Sequence, residues 1–173
     1  MTLSSRRRGG ELLSRVALLW VLGLSSFAHA LAPRVVEDRV EAQVLTAHGQ
    51  FEVHWIQFDE GRDSFQLVLD GKVIGTETRY EAVSISTRLP DKGPARFVLL
   101  ELTTGGSGCL AFFKLIEIAD DGRAIQSKEF GNCGNRARMS FTRGELRVDV
   151  LKAGGAPAQS WRYKDGRLSK ASR

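Results

Sequence analysis

After residue 31 the chain shows no long helical periodicity; apolar side chains instead recur at alternate positions in one short run after another. That spacing suits strands, whose successive side chains point to opposite faces. Residues 136–142 place Ala137, Met139 and Phe141 on one face and Arg136, Arg138 and Ser140 on the other. Residues 145–150 repeat the pattern, with Leu146, Val148 and Val150 inward. Only Arg143-Gly144 separates these runs, so they read as a tight hairpin. Residues 159–164 point Trp161 and Tyr163 the same way, and residues 51–58, 65–69 and 80–85 are further strand candidates. Residues 96–102 are apolar on both faces, as a strand between two layers would be.

Asp-Gly pairs at 70–71, 121–122 and 165–166 punctuate the runs. Glycine accepts the positive φ of a tight turn, and a preceding Asp tolerates it. Residues 89–94 and 153–158 read as loops. Short strands with such turns predict an all-β fold: an antiparallel sandwich, barrel or curled meander. Residues 49–173 form one domain on this reading. Residues 31–48, with a mixed pattern, precede it as a strand, a short helix or a mobile arm.

The first thirty residues read as a targeting segment. Arg6, Arg7 and Arg8 form a basic start, and Arg15 adds a further charge. Residues 16–27 are an apolar run shorter than the ~20 residues needed to cross a bilayer. Ala28-His29-Ala30 supplies the small-x-small site of a signal peptidase, so cleavage after Ala30 leaves a chain starting at Leu31. Ser5-Arg6-Arg7 hints at a twin-arginine signal, but Gly9-Gly10 stand where an apolar pair is needed, which favours the general secretory route. The expected location is the periplasm or the exterior, with no stable membrane insertion after cleavage. Removing four Arg and one Glu from 25 basic and 20 acidic residues leaves 21 and 19, a net +2. The high isoelectric point is thus partly a targeting signal, and nucleic acid is not an expected partner.

Cys109 and Cys133 flank a predicted hairpin. If its loop is Asp120-Asp121-Gly122 with Gly122 left-handed, the numbers of facing residues sum to 242, and those of the two cysteines do so. Facing side chains lie close enough for a disulfide, and an exported chain meets oxidising surroundings. Loop entropy alone would give about 3 kcal/mol, less if the hairpin already holds its ends together. A redox pair of the Cys-x-x-Cys kind is not present.

The segments Gly105-Gly106-Ser107-Gly108-Cys109, Phe130-Gly131-Asn132-Cys133 and Trp161-Arg162-Tyr163-Lys164-Asp165-Gly166 carry a resemblance. Residues from about 65 to 169 resemble a group of uncharacterised bacterial exported proteins marked by Gly-Gly-x-x-Cys, Phe-Gly-x-Cys and a late aromatic-x-aromatic-x-Asp-Gly. Gly108 and Leu110 stand where the group has Ala and Pro. The resemblance implies an exported β-rich domain with a Cys pair; it implies no activity, cofactor or active site.

Chemistry-bearing residues are sparse. Ser107 has Gly105 two residues before it but Cys109 two residues after, where a nucleophile elbow needs glycine, and a strand is expected to follow in place of the helix; no phosphate-cradling loop is present. Past the leader only His48 and His54 remain, without zinc-type spacing. His54 beside Trp55 suits a hydrogen-bonded strand residue, with general-base chemistry as the sharper reading. Asp59-Glu60-Gly61-Arg62-Asp63 and Asp120-Asp121 read as solvated turns and lack dedicated calcium spacing. Glu101 and Glu117 are a formal candidate for a glycosidase pair. Arg136, Arg138 and Arg147, with Arg143 at their turn, form a basic stripe that would suit an anionic partner such as an envelope polymer, a lipid headgroup or an acidic envelope protein. Trp55, Trp161 and Tyr163 read as core aromatics. The function these features favour is a non-enzymatic exported β domain with a binding or structural role, using Arg136, Arg138, Arg147 and His54, and needing no cofactor or metal. The alternative is a small periplasmic hydrolase using His54 or a carboxylate pair.

Overall fold

Three two-residue pairs between alternating runs are left-handed turns. Asp70-Gly71, Arg143-Gly144 and Asp165-Gly166 all have positive φ at both positions, from 49° to 78°. This is the turn whose twist matches that of two antiparallel strands. It fixes Leu69 opposite Lys72, Thr142 opposite Glu145 and Lys164 opposite Arg167. The first and last of these turns also generate two short strands that residue patterning alone does not reveal.

The computed structural model describes residues 32–105, 111–131, 136–151 and 157–171. The fold is all-β, and no helix occurs among the described residues. The strands are β1 (Val35–Thr46), β2 (Gly49–Phe58), β3 (Asp63–Leu69), β4 (Lys72–Glu77), β5 (Ala82–Leu89), β6 (Phe97–Thr103), β7 (Ala111–Ile118), β8 (Ala124–Gln126), β9 (Arg136–Thr142), β10 (Glu145–Leu151), β11 (Pro157–Lys164) and β12 (Arg167–Lys170). They make three four-stranded antiparallel meanders in chain order: β1-β2-β3-β4, β5-β6-β7-β8, and β9-β10-β11-β12. None of the three closes on itself, so the barrel is not formed. Residues 35–46 are neither helix nor arm but an edge strand paired with β2, with register shifts at Val36 and Glu41.

The three sheets are stacked. Alternate residues of β6 explain why. Val98, Leu100 and Leu102 pack with Phe51, Val53, Phe65 and Leu67 of the first sheet. Phe97 and Leu99, on the other face, pack with Leu146, Val148, Val150 and Tyr163 of the third. The middle sheet is therefore buried on both faces, and each outer sheet packs on it through one of its own. A fully buried Leu contributes about 2 kcal/mol of hydrophobic stabilisation. The first strands lie closest: β5 packs on both β1 and β9, and the Ala95 N–H donates to the Leu45 carbonyl at 2.8 Å.

Two polar links cross the layers. The Lys114 ammonium on β7 donates to the Glu77 carboxylate on β4; Glu77 is buried and Lys114 nearly so. Between the middle and third sheets, the Tyr163 hydroxyl donates to Glu117 Oε2 at 2.6 Å, and Arg96 Nη2 donates to Oε1 at 3.0 Å. Burial, reinforced by the neighbouring Glu117 charge, pushes the Tyr163 pKa up.

The β7–β8 hairpin has the expected loop. Gly122 is left-handed (φ 81°), and Ile116–Gln126, Glu117–Ile125 and Ile118–Ala124 face each other, each pair summing to 242. Further out, Phe113 faces Phe130, which sums to 243. One extra residue has entered the second strand, so the 242 register does not extend unbroken toward the cysteines, and a one-residue slip changes which face a side chain takes. Cys109 and Cys133 lie outside the described residues, as do the targeting segment 1–30 and most of the 153–158 loop.

Candidate functional site

The outward face of the third sheet is built rung by rung. One rung runs Arg138, Asp149, Ser160 across β9, β10 and β11; the next runs Ser140, Arg147, Arg162, Ser169. Their inward neighbours Met139, Val148 and Trp161 pack on the middle sheet, which leaves these polar residues on the opposite face. Arg136, opposite Leu151, lies on the same face.

Asp149 organises this surface. Arg147 Nε donates to Oδ1 at 2.9 Å, the Ser160 hydroxyl donates to Oδ1 at 2.6 Å, and Arg138 Nε donates to Oδ2 at 3.4 Å. Arg147 Nη2 donates in turn to Ser160 Oγ at 2.9 Å. Burial opposes the Asp149 charge, but the bonds from Ser160, Arg147 and Arg138 outweigh it and hold its pKa below the usual carboxylate value. Asp149 is 8% exposed, while Arg138 and Arg147 are 60% and 49% exposed. The carboxylate is thus an internal anchor, and the guanidiniums are the groups offered to solvent. A guanidinium has five N–H donors, so Arg147 retains donors after its bonds to Asp149 and Ser160. Arg147, Ser160, Arg162 and Lys170 line a concavity of about 740 Å³, and Arg147 also borders a second, of about 360 Å³, with Ser140 and Arg143. Oriented guanidiniums around a shallow basin suit carboxylate, sulfate or phosphate oxygens.

His54 is not part of this surface. It sits on the outward face of the first sheet, between two carboxylates: Nδ1 is 2.8 Å from Asp38 Oδ1, and Nε2 is 3.0 Å from Glu52 Oε2. Partial burial works against a charged ring, but the bonds to Glu52 and Asp38 prevail and raise its pKa. In the protonated form both ring nitrogens donate, and neither keeps a lone pair for a substrate proton or a metal.

The carboxylate pair is likewise dispersed. Glu117 faces Phe97, and Glu101 lies four residues further along β6, about 13 Å at strand rise. A glycosidase needs about 5–9.5 Å between its two carboxyls. Burial raises the Glu101 pKa, whereas Glu117 is bound to Tyr163 and Arg96. The acidic turns are internally paired: Asp121 with Arg123 Nε at 2.6 Å, and Glu60 with Arg62. The bonds from Arg123 hold the Asp121 pKa low. No group of three or more His, Cys, Asp or Glu among the described residues could hold a metal ion. Of the expected core aromatics, Tyr163 is buried, and Trp55 and Trp161 pack partly buried against the two cores.

No protein-family model, curated protein or solved structure matches the chain.

The arginine stripe is readable in the residues, whereas Asp149, Ser160 and Arg162 are joined to it by the fold. The signal for Asp149 was there: it lies two residues from Arg147 on an alternating strand, and so shares its face. Ser160 and Arg162 join it through the β10–β11 register, in which Asp149 faces Ser160 and Arg147 faces Arg162.

Proposed function

We propose that the chain is an exported, non-enzymatic binding domain whose working surface is the arginine face of the third sheet, and that its partner presents anionic oxygens. One observation carries this reading: a buried carboxylate, Asp149, holds two exposed guanidiniums on the outward face, and one of them, Arg147, lines an open concavity together with Arg162 and Lys170. Such an anchor fixes the arginines before the partner arrives and so lowers the entropy lost on binding. The same proposal places the domain in the periplasm or outside the cell after cleavage behind Ala30, joined by a Cys109–Cys133 disulfide. The basic-then-apolar leader and the resemblance of residues from about 65 to 169 to exported bacterial proteins support this.

Titration with dextran sulfate tests the binding surface. Binding should weaken steeply between about 50 and 200 mM salt, as released counterions require. Arg147→Ala with Arg162→Ala should weaken it at least about tenfold, while His54→Gln leaves it unchanged. Equal binding by the arginine variant would overturn the assignment. Intact mass of the chain recovered from the periplasm tests export and the disulfide. The reading requires a start at Leu31 and two thiols that alkylate only after reduction. A full-length mass contradicts cleavage, and thiols that alkylate without reductant contradict the bridge.

A further inference from the structure

The stack ends in two unlike faces. Residues 35–77, which span the first sheet, hold three basic and nine acidic residues, a net −6. Residues 82–126, spanning the middle sheet, hold five of each. Residues 136–170, spanning the third, hold nine basic and three acidic residues, a net +6. Charge is therefore graded along the stacking direction, from acidic through neutral to basic.

The two outward faces are also complementary in detail. On the first sheet two carboxylates, Asp38 and Glu52, are held by one imidazole. On the third, two guanidiniums are held by one carboxylate. The first face also exposes Val40, Leu45 and Val73, which lie opposite His54, Gln50 and Val68 and so share the side of Glu52. Between the layers of one chain the same kind of meander already packs face to face twice.

We propose that the partner of the arginine face is a second copy of this chain, whose acidic first sheet stacks head to tail on the basic third sheet. The contact continues the internal stacking by one further layer. It is heterologous, joining different patches of the two copies, and so closes a ring or runs on. It rests on the reading of the third sheet as an anion-binding surface and names the anion.

Sedimentation velocity of the cleaved chain across a concentration series is the test, with two variants that leave both charge clusters intact. Arg136→Glu with Arg162→Glu alters exposed positions of the basic face. Val40→Lys with Val73→Lys alters exposed positions of the acidic face. Unchanged circular dichroism and melting temperature establish that each variant folds. The wild type should exceed monomer mass at low salt, growing with concentration, and return to monomer at high salt. Each variant alone should associate at least about tenfold more weakly. Mixed in equal amounts they should regain dimer mass and go no further, because each keeps the face the other lacks. If the wild type stays monomeric at all concentrations while still binding dextran sulfate, the second-copy proposal falls and the arginine-face reading stands. If it neither associates nor binds, both fall. If the basic-face variant still associates as the wild type does, the contact is not head to tail and the proposal is overturned.

Discussion

The first and third sheets share one topology and differ in what they present. Each is a four-stranded meander that packs one face on the middle sheet and carries its charged cluster on the other. The first turns outward an imidazole between two carboxylates; the third turns outward a carboxylate between two guanidiniums. The inward faces are interchangeable in character, being apolar residues at alternate positions. Function is therefore to be sought on the outward positions, where the alternation leaves side-chain identity free of packing. The two clusters also respond oppositely to pH, which allows each to be addressed separately.

The largest effect should come at the seam that joins the first sheet to the middle one. Lys114→Ala leaves Glu77 buried without its cation and should cost about 3–5 kcal/mol in urea denaturation. Replacing both residues by apolar ones of similar size should restore most of that loss. A loss below about 1 kcal/mol for Lys114→Ala would show that water reaches the pair. The seam to the third sheet should be less sensitive. Tyr163→Phe removes one of two partners from Glu117 and should cost about 1–3 kcal/mol.

The outward clusters come next, and pH separates them. The Asp149 pKa is lowered by folding, so its contribution is complete above the unfolded value near 4 and is lost as pH falls through the folded value. Asp149→Asn should flatten the acid limb of the stability profile. The His54 pKa is raised by folding, so its contribution is complete below about 6.5 and is lost as pH rises through the folded value. His54→Gln should remove that loss on the alkaline side, an effect of about 1 kcal/mol or less because Asp38 is well exposed. An unchanged profile in either variant would show that its cluster is not held as described.

Much of this fold was legible in the residues, for identifiable reasons. Strand β9 and most of β10 follow from strict alternation, and their turn from a residue pair that tolerates positive φ. The two-sided burial of β6 follows from the unbroken apolar run Phe97-Val98-Leu99-Leu100. Strands β4 and β12 were not legible: Lys-Val-Ile-Gly-Thr-Glu and Arg-Leu-Ser-Lys are short edge strands with little alternation. Strand β1 was ambiguous because the Glu41 bulge breaks its period of two. The arginine stripe is visible in the residues, but the burial of its anchor Asp149 is not, because that burial is a property of the neighbouring strands.

Amide hydrogen exchange with and without dextran sulfate is the most direct test that the third sheet is the working surface. The account predicts slowed exchange on β10 and β11, centred on Arg147, Ser160 and Arg162, with β1 and β2 around His54 unchanged. Protection centred on the first sheet, or spread evenly over all three, would contradict it.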